Sequence, residues 1–253
     1  MILKNFTFYQ KVLDLSYQIF VVYIIFACFV LPYSLQLSQV FNIALVSGCI
    51  LLYKYEYFCN KSVLNYYFLI IGIITSYFDL LTYPISILGF NLLIITLLDQ
   101  KAKPKTIIIN AIMWFIGYGG MWAMKWVIAS FVLKENMFLN AYNAIVFRSS
   151  DVYNDVKMTL YETILVNLDY INNKITVSLF ILMMLTNIIY GLKNKQYNLN
   201  ANKLINLIII IALPLNWYLV VRQHSYTHDF LEFRTLIPLV WGFLSMPSCF
   251  LRK

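Results

Sequence analysis

Charged residues are scarce in this sequence. Only 12% of its 253 residues are Asp, Glu, Lys or Arg, whereas 61% are hydrophobic. A soluble domain is about one quarter charged and about half apolar. The composition therefore excludes a soluble globular enzyme, a disordered chain and a collagen. It predicts an all-α integral membrane protein in which residues 1–253 form a single polytopic domain.

Recognisable catalytic and cofactor motifs are also lacking. The four cysteines, Cys28, Cys49, Cys59 and Cys249, are scattered through apolar segments without the spacing of a metal site or a disulfide scaffold. We expect them to be membrane-buried thiols. There is no P-loop, no dinucleotide fingerprint, no GxSxG and no HExxH. Nothing in the sequence indicates ATP hydrolysis, protease chemistry or nucleic-acid binding.

Long apolar runs are abundant. A helix that spans a bilayer needs about 20 mostly apolar residues. We predict about eight transmembrane helices, over residues 15–31, 37–53, 63–78, 85–98, 107–133, 175–192, 204–221 and 236–251. The second and fourth are short, so tilted or re-entrant segments are the alternative for these two.

Basic residues are concentrated on one side of this arrangement. When the connections are assigned alternately to two sides, the side of the N-terminus holds 12 of the 19 basic residues and three of the 11 acidic residues. These basic residues are Lys4, Lys11, Lys54, Lys61, Lys101, Lys103, Lys105, Lys193, Lys195, Lys203, Arg252 and Lys253. Because basic connections stay in the cytoplasm, both termini are predicted on the cytoplasmic side of the membrane. The +8 net charge thus indicates orientation in a lipid bilayer.

One long connection, about residues 134–174, is predicted on the outer side. An apolar stripe recurs in it at helical spacing, formed by Val156, Leu160, Ile164, Leu168 and Ile171. This pattern favours a helix that lies in the membrane interface, with Asp151 as its N-cap. Residues 138–147 are predicted to form a shorter interfacial helix before it.

The remaining ionisable residues of interest gather on the predicted outer side. They are Asp79, Lys125, Arg148, His224, His228, Asp229, Glu232 and Arg234. We therefore expect any active or binding site to open outward, with Arg148 among the candidates for binding a substrate.

The densest polar cluster is residues 222–234, between the last two predicted spans. Both histidines of the chain, His224 and His228, share one face if this stretch is helical. One interpretation is a phosphate clamp that includes Arg234, because Arg binds phosphate through two donors and His moves protons near neutral pH. Another is a divalent-cation site formed by His224, His228 and Asp229. A third is a polar loop held by its own salt bridges.

Lys125 lies inside the fifth predicted span, about 12 Å below its outer end. An ionisable side chain at that depth is a functional candidate, which binds either an anionic headgroup or Asp79. The alternative is an ammonium group that reaches the interface beside Trp122 and Trp126. The glycines at positions 117, 119 and 120 permit close approach of a neighbouring helix.

Asp79 follows the third predicted span, in an apolar turn. A lone carboxyl in such surroundings is a candidate general base, because burial raises its pKa. It equally suits capping of the next helix or pairing with Lys125.

The order of these elements resembles that of a known family. An outward turn at Asp79 precedes an outer loop with interfacial helices. The element His-Ser-Tyr-x-His-Asp-Phe at residues 224–230 follows, with Arg234 and a proline-containing last helix. Over residues 73–238 this pattern resembles the C-terminal part of multi-spanning bacterial glycosyltransferases of the GT-C fold.

The resemblance implies transfer of a sugar from a polyprenyl-phosphate donor at the outer face of a bacterial cytoplasmic membrane. In that family Arg and Lys bind the phosphate, and an Asp or Glu acts as the base. It implies catalytic roles for His224 and His228. It also implies substrate-binding roles for Arg234 and Lys125, and Tyr226 in the same element is a further candidate for binding substrate. No cofactor is firmly implied, and a divalent cation is the one candidate.

The sequence departs from the family in one respect. The family's acid lies in a large loop after the first helix, but here that connection is only residues 32–39 and contains no acid. Either Asp79 has taken over this role, or the chain is part of a larger enzyme, or it is a non-catalytic membrane fragment. The leading prediction is a glycosyltransferase of cell-surface glycan assembly. The alternative is a transporter or flippase for a lipid-linked glycan or a small solute.

Overall fold

The computed structural model describes residues 35–58, 61–79, 81–99, 101–193 and 199–249. The first predicted span, residues 15–31, lies outside them. The α-helices are α1 (Leu35–Tyr53), α2 (Tyr55–Phe58), α3 (Lys61–Phe78), α4 (Ile85–Leu98), α5 (Pro104–Leu133), α6 (Phe138–Ser149), α7 (Leu160–Asp169), α8 (Lys174–Lys193), α9 (Ala201–Val220), α10 (Arg222–Thr227), α11 (Asp229–Glu232) and α12 (Ile237–Ser245). The two strands are β1 (Val152–Tyr153) and β2 (Val156–Lys157).

The membrane character of the chain appears in its longest helices. Among the described residues, α5 and α9 are long and apolar enough to cross a membrane. A third candidate is α7 together with Lys174–Leu185 of α8, and this pair is bent by 95°. The described part of the chain is thus mostly helical, with two or three candidate spans. The total of eight spans and their orientation stay predictions.

The helix α4 occupies the centre of the fold. It packs against α1, α9 and α12, and its residues from Ile85 to Thr96 are buried except for Phe90. A helix that is apolar on all sides belongs in a core. The 14 residues of α4 accordingly pack against protein.

A buried hydrogen-bond cluster ties α4 to α1 and α3. The Tyr67 hydroxyl lies 2.6 Å from the Ser47 carbonyl oxygen and 2.8 Å from Asn91 Oδ1. The Asn91 amide donates to Ser47 Oγ at 2.9 Å. In an apolar interior, polar groups that satisfy one another hold neighbouring helices in register.

The helices α3 and α5 approach each other at two glycines. A Cβ on Gly72 would lie 2.2 Å from the Trp114 carbonyl oxygen, and a Cβ on Gly117 would lie 2.1 Å from the Leu69 carbonyl oxygen. The predicted close approach is confirmed at Gly117. At the glycines at 119 and 120 a Cβ would meet no described residue within 4 Å, so no close approach is seen there.

The contacts also fix the relative direction of α3 and α5. Gly72 meets Trp114, and further along both helices Lys125 donates to the Ser76 carbonyl oxygen, so α3 and α5 run parallel. Parallel directions for α3 and α5 are what the predicted alternation of inward and outward spans requires.

The eighth predicted span, residues 236–251, is not one continuous α-helix. The nine-residue α12 lies between 3₁₀ turns at Phe233–Leu236 and Met246–Cys249. Pro247 in the second turn has no backbone N–H, which interrupts helical hydrogen bonding.

The connection at residues 134–174, called the outer loop after its predicted side, differs from its prediction at the start of its second helix. The helix does not include Val156 and is not capped by Asp151, because residues 152–157 form an antiparallel hairpin. Asn154 and Asp155 both adopt positive φ, which these residue types tolerate in tight hairpin turns. The helix α7 begins at Leu160, and Thr159 caps it in a capping box with Glu162. The predicted shorter helix is confirmed as α6.

Candidate functional site

Asp79 lies at the end of α3 and is buried. Its carboxylate accepts hydrogen bonds from the Leu81 amide at 3.0 Å, from the Thr82 amide at 2.9 Å and from the Thr82 hydroxyl. The Tyr118 hydroxyl donates to the same group at 3.3 Å. Burial raises the pKa of Asp79, whereas these donors lower it. The side chain therefore organises a turn and can also take up a proton.

The turn places Leu81 in an unusual backbone conformation. Its φ is 64°, in the left-handed region that residues other than glycine rarely adopt. Its amide is fixed by Asp79, and its carbonyl oxygen lies 2.7 Å from His224 Nε2. Strained backbone that persists under such contacts is concentrated at functional sites.

His224 joins this turn to the outer loop. It lies in α10, and its side chain is 12% exposed. Its Nδ1 lies 3.5 Å from Arg148 Nη1 at the end of α6. The pKa of His224 is lowered to about 4. Burial is the largest cause, and the nearby Arg148 guanidinium and His228 act in the same direction, while the bond to the Leu81 carbonyl raises the pKa. The ring is therefore neutral near pH 7.

The outer loop is held against α10 by an independent contact. The Asn167 amide in α7 donates to the Ser225 carbonyl oxygen at 2.9 Å. Nearby, the rings of Tyr170 and Phe233 stack with centroids 4.9 Å apart. These contacts hold α7 and the residue after it against α10 and the turn before α12.

A cavity of about 570 Å³ opens between these elements. Its lining combines charged groups with aromatic rings, and includes Asp79, Leu81, Tyr118, Trp122, Lys125, Trp126 and Arg148. Three of the predicted site residues, at positions 79, 125 and 148, thus come together.

Lys125 reaches the cavity from α5. Its Nζ donates to the Ser76 carbonyl oxygen and lies 3.4 Å from the Tyr77 carbonyl oxygen. The ammonium group therefore caps the last turn of α3, where the helix dipole is negative, and its charge also acts on Asp79. With Arg148 it gives the cavity two cationic donors.

Glu232 is a buried carboxyl near this site that was not among the predicted site residues. It has no exposed surface. Its Oε2 accepts from the Thr235 hydroxyl at 3.0 Å, and its Oε1 lies 3.7 Å from His224 Nε2. Burial raises the pKa of Glu232 well above its usual range. The only sequence signal was its position within the polar stretch of residues 222–234.

The other predicted site residues lie outside the cavity lining. The Arg234 guanidinium is buried and donates to the Phe230 carbonyl oxygen at 2.9 Å, where it supports the turn that leads into α12. His228 is exposed, and its ring is tilted by 58° against that of His224, with ring centroids 4.5 Å apart. Tyr226 is half-buried in α10.

The described residues contain no group of three His, Cys, Asp or Glu side chains placed to hold a metal ion. His224, His228 and Asp229 therefore do not form a ligand set there. The Asp229 carboxylate instead accepts a hydrogen bond from the Phe230 amide at 2.7 Å and lies 3.5 Å from the Tyr170 hydroxyl.

The cavity can accept an anion beside a proton acceptor. Two cations face it, a buried carboxyl lies at its wall, and indole rings suited to the headgroup level of a membrane complete the lining. Comparison of the chain with known protein families, curated proteins and solved structures gives no match.

Proposed function

We propose that this protein is a membrane glycosyltransferase that binds a polyprenyl-phosphate-linked sugar at the outer face of a bacterial cytoplasmic membrane. The observation that carries the proposal is the shared cavity of Asp79, Lys125 and Arg148 between α3, α5 and α6. These three residue types meet the needs of phosphate binding and of proton removal in one place.

The cations account for the binding of the donor phosphate. A guanidinium offers two parallel donors to phosphate oxygens, and an ammonium offers a point charge. Both side chains are half-buried, so their charges act in an environment less polar than water. Trp122 and Trp126, whose ring centroids are 5.7 Å apart, supply apolar surface for the first part of the lipid.

The carboxyl accounts for activation of the acceptor. In the proposed reaction an acceptor hydroxyl oxygen forms a bond to the anomeric carbon, and the bond from that carbon to the phosphate oxygen breaks. Asp79 takes the hydroxyl proton, and the polyprenyl phosphate leaves with the electron pair. Lys125 and Arg148 stabilise the charge that develops on the leaving phosphate.

The floor of the cavity favours a one-sided site over a carrier. Tyr118 stacks on Trp114 at 4.9 Å with an angle of 12° between the rings, and both are buried. At the same level the backbones of α3 and α5 are in contact at Gly72 and Gly117. A substrate in the cavity therefore meets packed side chains and backbone in the direction of the other membrane face.

The test is transfer of radiolabelled sugar from a polyprenyl-phosphate donor by purified protein in nanodiscs. Asp79→Asn is expected to lower kcat at least about 100-fold, the usual minimum for loss of a general base, with little change in KM. Arg148→Gln is expected to lower kcat/KM about tenfold or more, the usual loss for a hydrogen bond to a charged group. The control is Lys157→Gln, which removes an exposed charge from the same outer loop and should leave the kinetics unchanged.

Two results would contradict the proposal. Transfer that is unaffected by both cavity substitutions would exclude the roles assigned to those residues. Binding of the lipid without any sugar transfer by the unmodified protein, and with lipid movement between leaflets, would exclude the transferase in favour of a carrier. Thermal unfolding of each variant shows whether a loss of activity reflects a loss of fold.

A further inference from the structure

His224 makes contacts through both ring nitrogens but does not belong to the cavity lining. We propose that His224 is a positioning residue, whose neutral ring with its proton on Nε2 holds the Arg148 guanidinium at the cavity wall to meet the phosphate of the substrate lipid. The identity of that anion rests on the function proposed above.

The chemistry of the two partners fixes the tautomer. The Leu81 carbonyl oxygen can only accept a hydrogen bond, so Nε2 must carry a hydrogen to make the 2.7 Å contact. The Arg148 guanidinium can only donate, so Nδ1 must present its lone pair to make the 3.5 Å contact. The neutral ring with hydrogen on Nε2 is the one state that satisfies both.

Protonation of the ring would break this arrangement. A second N–H on Nδ1 would face the N–H groups of Arg148, and two positive charges would lie at hydrogen-bond distance. The Arg148 side chain would then be repelled from its present position. The contact therefore makes the geometry of the anion site depend on the charge of His224.

The surroundings of His224 favour the neutral state. Arg148 from α6 and His228 at the end of α10 both disfavour a further positive charge. The carboxyl groups that face this region are Glu232 in α11, 3.7 Å away, and Asp79 before the Leu81 turn. Burial raises the pKa of both carboxyls, which weakens their attraction for a charged ring.

The left-handed turn at Leu81 gives the ring a fixed point. Its amide is held by Asp79, so the carbonyl oxygen that meets Nε2 is tied to the same carboxyl that lines the cavity. His224 therefore sets the distance between Asp79, the proposed base, and Arg148, the proposed hydrogen-bond donor to the phosphate. This is a role that a residue outside the cavity can fill without touching substrate.

The state of the ring can be measured directly. The chain has two histidines, so selective ¹⁵N labelling of histidine gives two sets of ring signals, which a His228→Asn variant assigns. We expect His224 to show hydrogen on Nε2 alone at pH 6. Arg148→Gln should raise the midpoint of its titration, because it removes a neighbouring positive charge. A doubly protonated ring at pH 6, hydrogen on Nδ1, or an unchanged midpoint would overturn the proposal.

Two substitutions, each of which imitates one ring nitrogen of His224, separate the two contacts of the ring. The amide of Asn reaches the position of Nδ1 and can accept from Arg148, whereas the amide of Gln reaches the position of Nε2 and can donate to Leu81. Binding of polyprenyl monophosphate in nanodiscs is followed by the fluorescence of the cavity tryptophans. His224→Asn should keep the affinity, and His224→Gln should weaken it about tenfold, as for loss of a hydrogen bond to a charged group.

The outcomes distinguish this proposal from the proposed function. Equal losses of affinity in the two variants, or a larger loss in His224→Asn, would overturn the positioning role. General structural damage would not depend on which ring nitrogen the new amide replaces. If the unmodified protein binds no polyprenyl monophosphate, the proposed function is contradicted. The titration of His224 with and without Arg148 then decides the positioning role by itself.

Discussion

Replacement of Gly72 by alanine inserts a methyl group where α3 and α5 touch. Its carbon would lie 2.2 Å from the Trp114 carbonyl oxygen and 2.9 Å from the Tyr118 amide nitrogen. Ordinary contact begins at about 3.4 Å, so the two helices must separate by about 1 Å over a backbone that cannot rotate away. Overpacking of this kind costs about 1–3 kcal/mol, and Gly117→Ala is expected to cost the same because its Cβ would meet the Leu69 carbonyl oxygen at 2.1 Å.

The chain supplies its own controls for this experiment. Gly119→Ala and Gly120→Ala add the same methyl group to α5, the helix of Gly117, but no described residue lies within 4 Å of it. These two changes should raise stability by up to about 1 kcal/mol, the gain from glycine to alanine in a helix. Unfolding of the purified proteins in detergent, followed by circular dichroism, compares all four. Equal stability of the Gly72→Ala and Gly119→Ala proteins would refute the close approach of α3 and α5.

Three further predictions concern other parts of the fold. Tyr67→Phe removes the hydroxyl between α1, α3 and α4 and should lower the free energy of unfolding by about 1–2 kcal/mol; an unchanged value would contradict the buried cluster. Thr159→Ala removes a capping box and should cost about 1 kcal/mol, seen as faster amide exchange at the start of α7 and nowhere in α5. The pKa of His224 is lowered from 6.5 to about 4, so its contribution to stability is complete above about pH 6.5 and decreases by about 3 kcal/mol as the pH falls toward 4. Because buried Asp79 and Glu232 have raised pKa values and act in the opposite sense, the measurement is the difference between the unmodified protein and His224→Asn, and a difference independent of pH would contradict it.

Hydrophobic length and periodicity predict most helices of this chain. The bounds of α4 match the predicted residues 85–98, because the apolar run ends at a proline on one side and an acid on the other. The start of α7 was missed for a local reason. Val156 continues the helical spacing, but Asn154 and Asp155 tolerate positive φ and form a hairpin turn instead.

The candidate site was predictable in its parts but not in its connections. Asp79, Lys125 and Arg148 stand out as ionisable residues in apolar surroundings, and the cavity brings them together. The link between His224 and the Asp79 turn passes through the carbonyl oxygen of Leu81. A backbone oxygen of an apolar residue leaves no trace in a sequence, so only the folded chain reveals it.

The unequal lengths of α3 and α5 set the depth of the cavity. With 18 and 30 residues, they measure about 27 Å and 45 Å, against about 30 Å of hydrocarbon in a bilayer. Because they run parallel and Lys125 meets the last turn of α3, the rest of α5 extends beyond α3 and includes the exposed Phe131. A bilayer matched to α3 would have its headgroup plane at the cavity mouth. A lipid phosphate would then reach Lys125 by lateral diffusion, without lifting its chain out of the leaflet.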